Sequence, residues 1–282
     1  MTLARTSELI ESAQRAAIAV PAFNVITIEH AEGIVAGAER ANCAVILQVS
    51  ENAVRYHDGR LRPILAACSE LAVAAEIPVA LHLDHLEDED LVLAGIVQSG
   101  ELGVSSLMID ASRMPYERNV EATASLAKRA REAGLWVEAE LGEIGGKDGA
   151  HAPGVRTDPE EAAEFVRATG VDGLAVAVGS SHAMTSRQAE LDLALIERLA
   201  QRLTVPLVLH GSSGVPDAVL RDAVKAGIRK VNIGTALNVG FTASVRGFLA
   251  SDPGATDPRA YLRLGREAVA AEVSELCAVV AG

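Results

Sequence analysis

Three histidines, His85, His182 and His210, each follow a short apolar run. Neutral imidazoles arriving from separate strands can hold Zn²⁺ and leave one coordination position open. No HxH or HExxH spacing joins them, so a shared site depends on the fold bringing them together. The plainer reading is three strand-end histidines, each bonded to a backbone carbonyl. Asp84 directly precedes His85. A carboxylate there can act as general base or orient a ligand, or else cap a helix or close a salt bridge. Glu140 has a similar pair of readings, as an alternate metal ligand or the partner of an inward basic group. His82 reads as core or as a supporting residue, and His30, His57 and His151 as surface or loop positions.

A second chemistry resides in two glycine turns. Residues 210–214 read His-Gly-Ser-Ser-Gly and residues 232–235 read Asn-Ile-Gly-Thr, each after an apolar run. Small residues at a helix start let backbone N–H groups approach an anion, so a phosphate can be held there with little positive charge.

The elements that must position these groups alternate along the whole chain. Apolar, β-branched runs at 19–24, 44–50, 78–84, 105–110, 136–141, 173–178, 206–210 and 230–233 read as strands. Between them, helical patterns cover 28–41, 61–75, 87–99, 118–133, 159–169, 191–202 and 216–226, with Gly100, Gly134, Gly170 and Gly227 at their ends. Eight strands with helical crossovers predict an α/β fold, a TIM (β/α)8 barrel formed by one domain over 1–282, ahead of an open doubly wound sheet. Beyond the eighth strand the reading is a C-terminal helical extension: an apolar stretch 241–249, a turn-rich patch 251–258 and a final helix from about Tyr261. The glycine-rich segment 142–157 is the longest irregular stretch and reads as a lid. In such a barrel the strand ends form the active face. Those ends carry Asn24, Gln48, Ser50, Asp84, His85, Asp110, Ser112, Glu138, Glu140, His182, His210, Asn232 and Thr235.

Composition narrows the classes. A net charge of −13 disfavours nucleic acid and anionic membrane surfaces as partners. No run of eighteen apolar residues appears, and the N-terminal segment does not fit a signal peptide, so the expectation is a soluble cytoplasmic protein. Cys43, Cys68 and Cys277 show no CxxC spacing and read as reduced structural thiols.

The segments VPAFNV (20–25), LHLDH (81–85), MIDAS (108–112), VEAELGEIGG (137–146), AVAVGSSHA (175–183), LVLHGSSG (207–214), KVNIGT (230–235) and ATDPRAYL (255–262) resemble the class II fructose- and tagatose-bisphosphate aldolases over essentially the whole chain. The resemblance implies a zinc-dependent lyase that reversibly cleaves a ketose (bis)phosphate into dihydroxyacetone phosphate and an aldehyde. It implies His85, His182 and His210 as zinc ligands, and Asp84 as the acid/base on the C4 hydroxyl. Gly211, Ser213, Asn232 and Thr235 would hold the phosphate, and Asn24 and Ser50 would face the sugar. Arg259 would reach the far phosphate across a subunit boundary, in a homodimer or homotetramer. A monovalent cation, Na⁺ or K⁺, near the phosphate is also implied.

The sequence departs from that pattern at the substrate end. Ala183 follows His182 where a Gly is usual, and Ser186-Arg187 stand where many members carry a phosphate-binding Lys. Lys147-Asp148-Gly149 replace the loop Glu, which passes the proton-transfer role to Asp148. No acidic residue follows Thr235. The expected substrate is therefore a ketose phosphate other than fructose bisphosphate, or one whose second anionic group is not phosphate. A Schiff-base aldolase needs a lysine inside the barrel, and none of Lys128, Lys147, Lys225 and Lys230 ends strand five, six or seven. A non-catalytic sugar-phosphate-binding or assembly subunit would keep the glycine turns without needing Asp84 beside converging histidines.

Overall fold

The computed structural model describes residues 2–141, 156–180 and 187–281. The chain opens with α1 (Thr6–Ala16), then β1 (Val20–Asn24), α2 (Ile28–Arg40), β2 (Val45–Ser50) and the short α3 (Glu51–Tyr56). Next come α4 (Leu61–Ala74), β3 (Val79–Leu86), α5 (Glu89–Leu102), β4 (Val104–Ile109), α6 (Tyr116–Glu132) and β5 (Trp136–Glu140). The second half holds α7 (Pro159–Thr169), β6 (Gly173–Ala175), α8 (Leu193–Arg202), β7 (Leu207–Leu209), α9 (Asp217–Ala226) and β8 (Ile228–Ile233). Two long helices, α10 (Thr235–Ser251) and α11 (Pro258–Val280), complete the chain.

All eight strands are parallel and neighbours in chain order, and β8 pairs with β1, so the sheet closes into the expected (β/α)8 barrel with a C-terminal helical extension. Alternation along each strand divides the apolar residues between two clusters. Phe23, Leu47, Leu81 and Leu107 face outward beneath the helices, whereas Ala22, Ile46, Ala80, Met108 and Val208 face inward. The inward set meets Leu9, Ile10 and Ala13 of α1, which closes one end of the barrel. Thr6, the first residue of α1, anchors this plug by hydroxyl contacts of 3.0 Å with Ser105 and 2.6 Å with Ser106.

Several boundaries differ from the sequence expectation. Gly100 lies inside α5, and the residue that ends the helix is Gly103, whose φ of +70° favours glycine. Apolar 241–249 belongs to the longer α10, and α11 begins at Pro258 with Asp257 as its N-cap rather than at Tyr261. His30 is a buried residue of α2, not a surface one. It is held between Thr27 Oγ1 and Asn238 Oδ1 at 3.1 and 3.2 Å and stacks on Phe241. His57 is half-buried, with Nε2 2.7 Å from the Ile26 carbonyl. α2 can lie close against α11 because Gly33 has no side chain; a Cβ there would sit 2.8 Å from the Arg266 carbonyl. Among the described residues no helix is long and apolar enough to cross a membrane.

Candidate metal and active centre

Adjacent residues of a regular strand point to opposite faces, so Asp84 and His85 need an irregularity if both are to serve one site. The structure supplies it. His85 has a φ of +48°, and the β3–β4 register shifts between Leu83 and Leu86. This local bulge re-aims a side chain at the rim of the barrel.

His85 then meets His210, which follows β7, with Nε2 and Nδ1 2.9 Å apart. Donor atoms of His85, His210 and Glu140 all lie within 4.8 Å of one another. The remaining ring nitrogens each face a carboxylate. His85 Nδ1 is 2.7 Å from Asp110 Oδ2, and His210 Nε2 is 2.8 Å from Glu138 Oε1. A carboxylate accepts, so each of these nitrogens carries the hydrogen and donates it. The opposing nitrogens, His85 Nε2 and His210 Nδ1, face one another across 2.9 Å, where a proton on His85 reaches the His210 lone pair and a cation could take its place. Two ring nitrogens and a carboxylate converging on one point suit a cation, and carboxylate-backed imidazoles are how proteins orient metal ligands.

The electrostatics agree. Burial is the largest influence on His85 and pushes its pKa down, but Asp84, Asp110 and Glu140 together outweigh it and lift the value to about 10. A negative field that favours a proton favours a metal ion at the same place. Burial pushes Asp110 upward, yet His85 and the hydroxyl and amide of Ser112 hold its carboxyl well below the usual range. The donor set fits zinc, which takes histidine and carboxylate ligands. His182 and Asp148, the other residues assigned from sequence, lie outside the described residues, as does Lys147.

Asp84 is buried beside this centre and is surrounded by amides. Asn24 donates to Oδ2 at 2.9 Å, and Gln48 and Asn232 approach Oδ2 and Oδ1 at 3.4 Å. Asn24 reaches it because Gly234 leaves room; a Cβ on Gly234 would lie 2.8 Å from Asn24 Oδ1. Asn232 is buried, and its Nδ2 also lies 3.0 Å from His210 Nε2. Ser50 caps α3, accepting from the Ala53 amide at 3.2 Å, and pairs in register with Asp84.

The glycine turns also meet. Gly211 is left-handed at φ +65° and leads into a single 3-10 turn, Ser212–Gly214. The Ser212 hydroxyl donates to the Asn232 carbonyl, and Ser213 Oγ accepts from the Ala236 amide at 3.1 Å, tying the turn after β7 to the start of α10. Thr235 is the first residue of α10 and half-buried. Arg259 is elsewhere. Its side chain is 90% exposed and paired with Asp257 at 2.7 Å.

Two residues at the heart of the site carried no role in the sequence reading. Glu138 and Lys230 are both fully buried inside the barrel, 2.8 Å apart. A lysine does project into the barrel, then, but as the partner of a carboxylate. A charge in the middle of an otherwise apolar strand must find an opposite charge when buried, and that rule could have paired them from sequence. His82 lies in the same layer, with Nδ1 2.8 Å from Ser106 Oγ and Nε2 4.0 Å from Glu138. Burial first, and then Lys230, press its pKa well below the ordinary value.

Fold and site together define a (β/α)8 barrel with a histidine–carboxylate centre suited to a cation. The chain belongs to the class II fructose-bisphosphate aldolase family, whose profile matches residues 4–282. Among solved structures it is similar to the YdjI aldolase of Escherichia coli K12, at 30% identity and a TM-score of 0.83 over 98% of this chain and 97% of that one. It is similar also to a Coccidioides immitis protein provisionally named a fructose-1,6-biphosphate aldolase, at 28% identity and a TM-score of 0.85 over 98% and 96% of the two chains. Fructose-bisphosphate aldolase from Campylobacter jejuni, at 22% identity and a TM-score of 0.80 over 98% and 93%, shares the fold. Family and neighbours place the chain among the aldolase-type lyases.

Proposed function

We propose that this chain, acting as one barrel domain over 1–282, is a zinc-dependent class II aldolase that cleaves a ketose phosphate into dihydroxyacetone phosphate and an aldehyde. The observation that carries the reading is the convergence of His85, His210 and Glu140 beside an amide-wrapped Asp84. His85 and His210, joined by His182 as the family resemblance implies and by Glu140 as an alternate ligand, would hold the ion. Zinc bound there supplies a Lewis acid next to the C2 carbonyl of the substrate.

The protein's own groups do the rest. Asp84 accepts the C4 hydroxyl proton as the C3–C4 bond breaks; the C4 fragment leaves as aldehyde and the bonding pair stays with the ketose fragment. Asn24, Gln48 and Asn232 hold Asp84 on the reaction line, which limits the geometry lost between turnovers. Asp148 is assigned the return of a proton to C3. Gly211, Ser213, Asn232 and Thr235 hold the phosphate, with backbone amides and the start of α10 turned to it and Na⁺ or K⁺ as an accessory ion there. Ser50 faces the sugar. The exposure of Arg259 supports its reaching a neighbouring copy's substrate in a homodimer or homotetramer. Substitutions at 183, 186–187 and 148 support a substrate other than fructose bisphosphate.

The test is zinc analysis coupled to cleavage of fructose, tagatose and deoxyketonate phosphates before and after chelation. Zinc near one equivalent, lost and regained together with cleavage, supports the reading. Cleavage that survives chelation sinks the metal mechanism. Zinc with no cleavage of any ketose phosphate favours a binding subunit, and preference for fructose bisphosphate sinks the altered-substrate clause.

A further inference from the structure

Lys230 lies on β8 with its side chain fully buried. Its Nζ is 2.8 Å from Glu138 Oε2, 2.8 Å from Asn232 Oδ1 and 3.5 Å from Gln48 Oε1. An ammonium has three protons and no lone pair, so it can only donate. Each of its three partners must therefore turn an acceptor toward it, and that choice fixes what each presents on its other side. Glu138 is left with Oε1 for His210 Nε2, at 2.8 Å. Asn232 is left with its amide nitrogen toward Asp84 Oδ1, and Gln48 with its own toward Asp84 Oδ2 and Asn24 Oδ1.

We infer that Lys230 is a positioning residue: its single ammonium sets the amide orientations of Asn232 and Gln48 and holds the Glu138 carboxylate against His210. Donors are thereby aimed at Asp84. The inference rests on the reading of His210 as a metal ligand and Asp84 as the base. A buried ion pair is weak evidence of stabilisation, because desolvation offsets the attraction. The arrangement is better explained by what it orients. Without the ammonium, Asn232 and Gln48 can turn their oxygens toward Asp84, and Glu138 pairs only with His210.

The test compares Lys230→Met, the double variant Lys230→Met/Glu138→Gln, and Lys225→Met as a surface control on α9. The double variant removes both members of the Lys230–Glu138 pair and keeps the test open should the single variant fail to fold. The readouts are zinc affinity by chelator competition, the side-chain amide signals of Asn232 and Gln48 by ¹⁵N NMR on chelator-treated protein, and kcat and KM separately. Lys230→Met is expected to weaken zinc binding by ~10–100-fold, as loss of a residue supporting a ligand does. It should shift the side-chain amide signals of Asn232 and Gln48 and lower kcat with little change in KM. The double variant should keep the low kcat, since the amides remain unaligned. Wild-type affinity, amide signals and kcat in either variant overturns the inference. Wild-type protein that binds no zinc overturns the parent reading instead, and the amide signals still decide the part played by Lys230.

Discussion

The two ends of the barrel are built on opposite terms. At one, Leu9, Ile10 and Ala13 of α1 press on small and branched residues such as Ala22, Ile46, Ala80 and Val208, with scarcely a charge among them. At the other, Asp84, Glu138, Glu140, His210 and Lys230 are buried together. Burying apolar area stabilises a fold, while burying charges costs free energy even when they are paired. The sealed end thus supplies stability that the polar end consumes in holding its groups at fixed orientations. Changes at the two ends should therefore separate stability from activity.

The largest separation is expected at Asp84. Asp84→Asn keeps the volume and removes the base, so kcat for aldol cleavage should fall by ~10²–10⁴-fold. The urea midpoint should hold or rise, because a buried carboxylate has gone. Retained kcat would remove Asp84 from the mechanism. The converse change is Ile10→Ala in the plug. Leaving a cavity at a fully packed site should cost ~2–5 kcal/mol in urea unfolding, with kcat/KM unchanged where the protein is folded. A matching drop in kcat/KM would mean that the ends are coupled and the division is wrong.

How much of this was legible in the sequence depended on whether a residue's role is local. Strands such as Val45–Ser50 and Val104–Ile109 were readable because a strand covered on both sides is mostly apolar, with only Gln48, Ser50, Ser105 and Ser106 interrupting these two. The plug was not, since Leu9, Ile10 and Ala13 are diluted by polar neighbours and α1 packs against a barrel end that does not exist until eight strands close. His30 was legible in principle; it shares the helical face of Ala31, Ile34 and Ala38, which the 3.6-residue period gives. Asp84, His85, His210 and Glu140 were found because they end strands; Glu138 was counted with them but given no role, because its partner Lys230 sits further inside on a distant strand. The left-handed turn at His85 had no signal of its own, because histidine rarely announces a positive φ.

A smaller effect should come from Asp110, which touches the centre only through His85 Nδ1. Asp110→Ala should weaken zinc binding by ~10–100-fold, read by competition with a chelating dye, and lower cleavage at limiting zinc. Saturating zinc should restore much of that cleavage. Loss that excess zinc cannot repair would mean that Asp110 contacts substrate, and the polar end would then extend further than its buried layer.

The smallest effect concerns acid, and it tests whether polar burial outside the barrel obeys the same terms. Burial lowers the pKa of His30, with the Asn238 hydrogen bond and Glu29 opposing more weakly. A folded-state value below the ordinary ~6.5 means that the unfolded chain takes up a proton the folded chain refuses. Stability contributed by a neutral His30 is thus fully present above pH ~6.5 and declines as pH falls from there toward the folded value, by at most ~1.4 kcal/mol per pH unit. His82, shifted the same way, adds a parallel decline. His85, lifted to about 10, is protonated in both states below pH ~6.5 and adds no slope there. Urea unfolding of chelator-treated protein between pH 7.5 and 5.5 should therefore be shallower for His30→Gln than for the natural sequence by up to that amount. An unchanged slope would mean that His30 takes its proton while still wedged between α2 and Phe241, and that burial on the outer layer is cheaper than burial at the barrel's polar end.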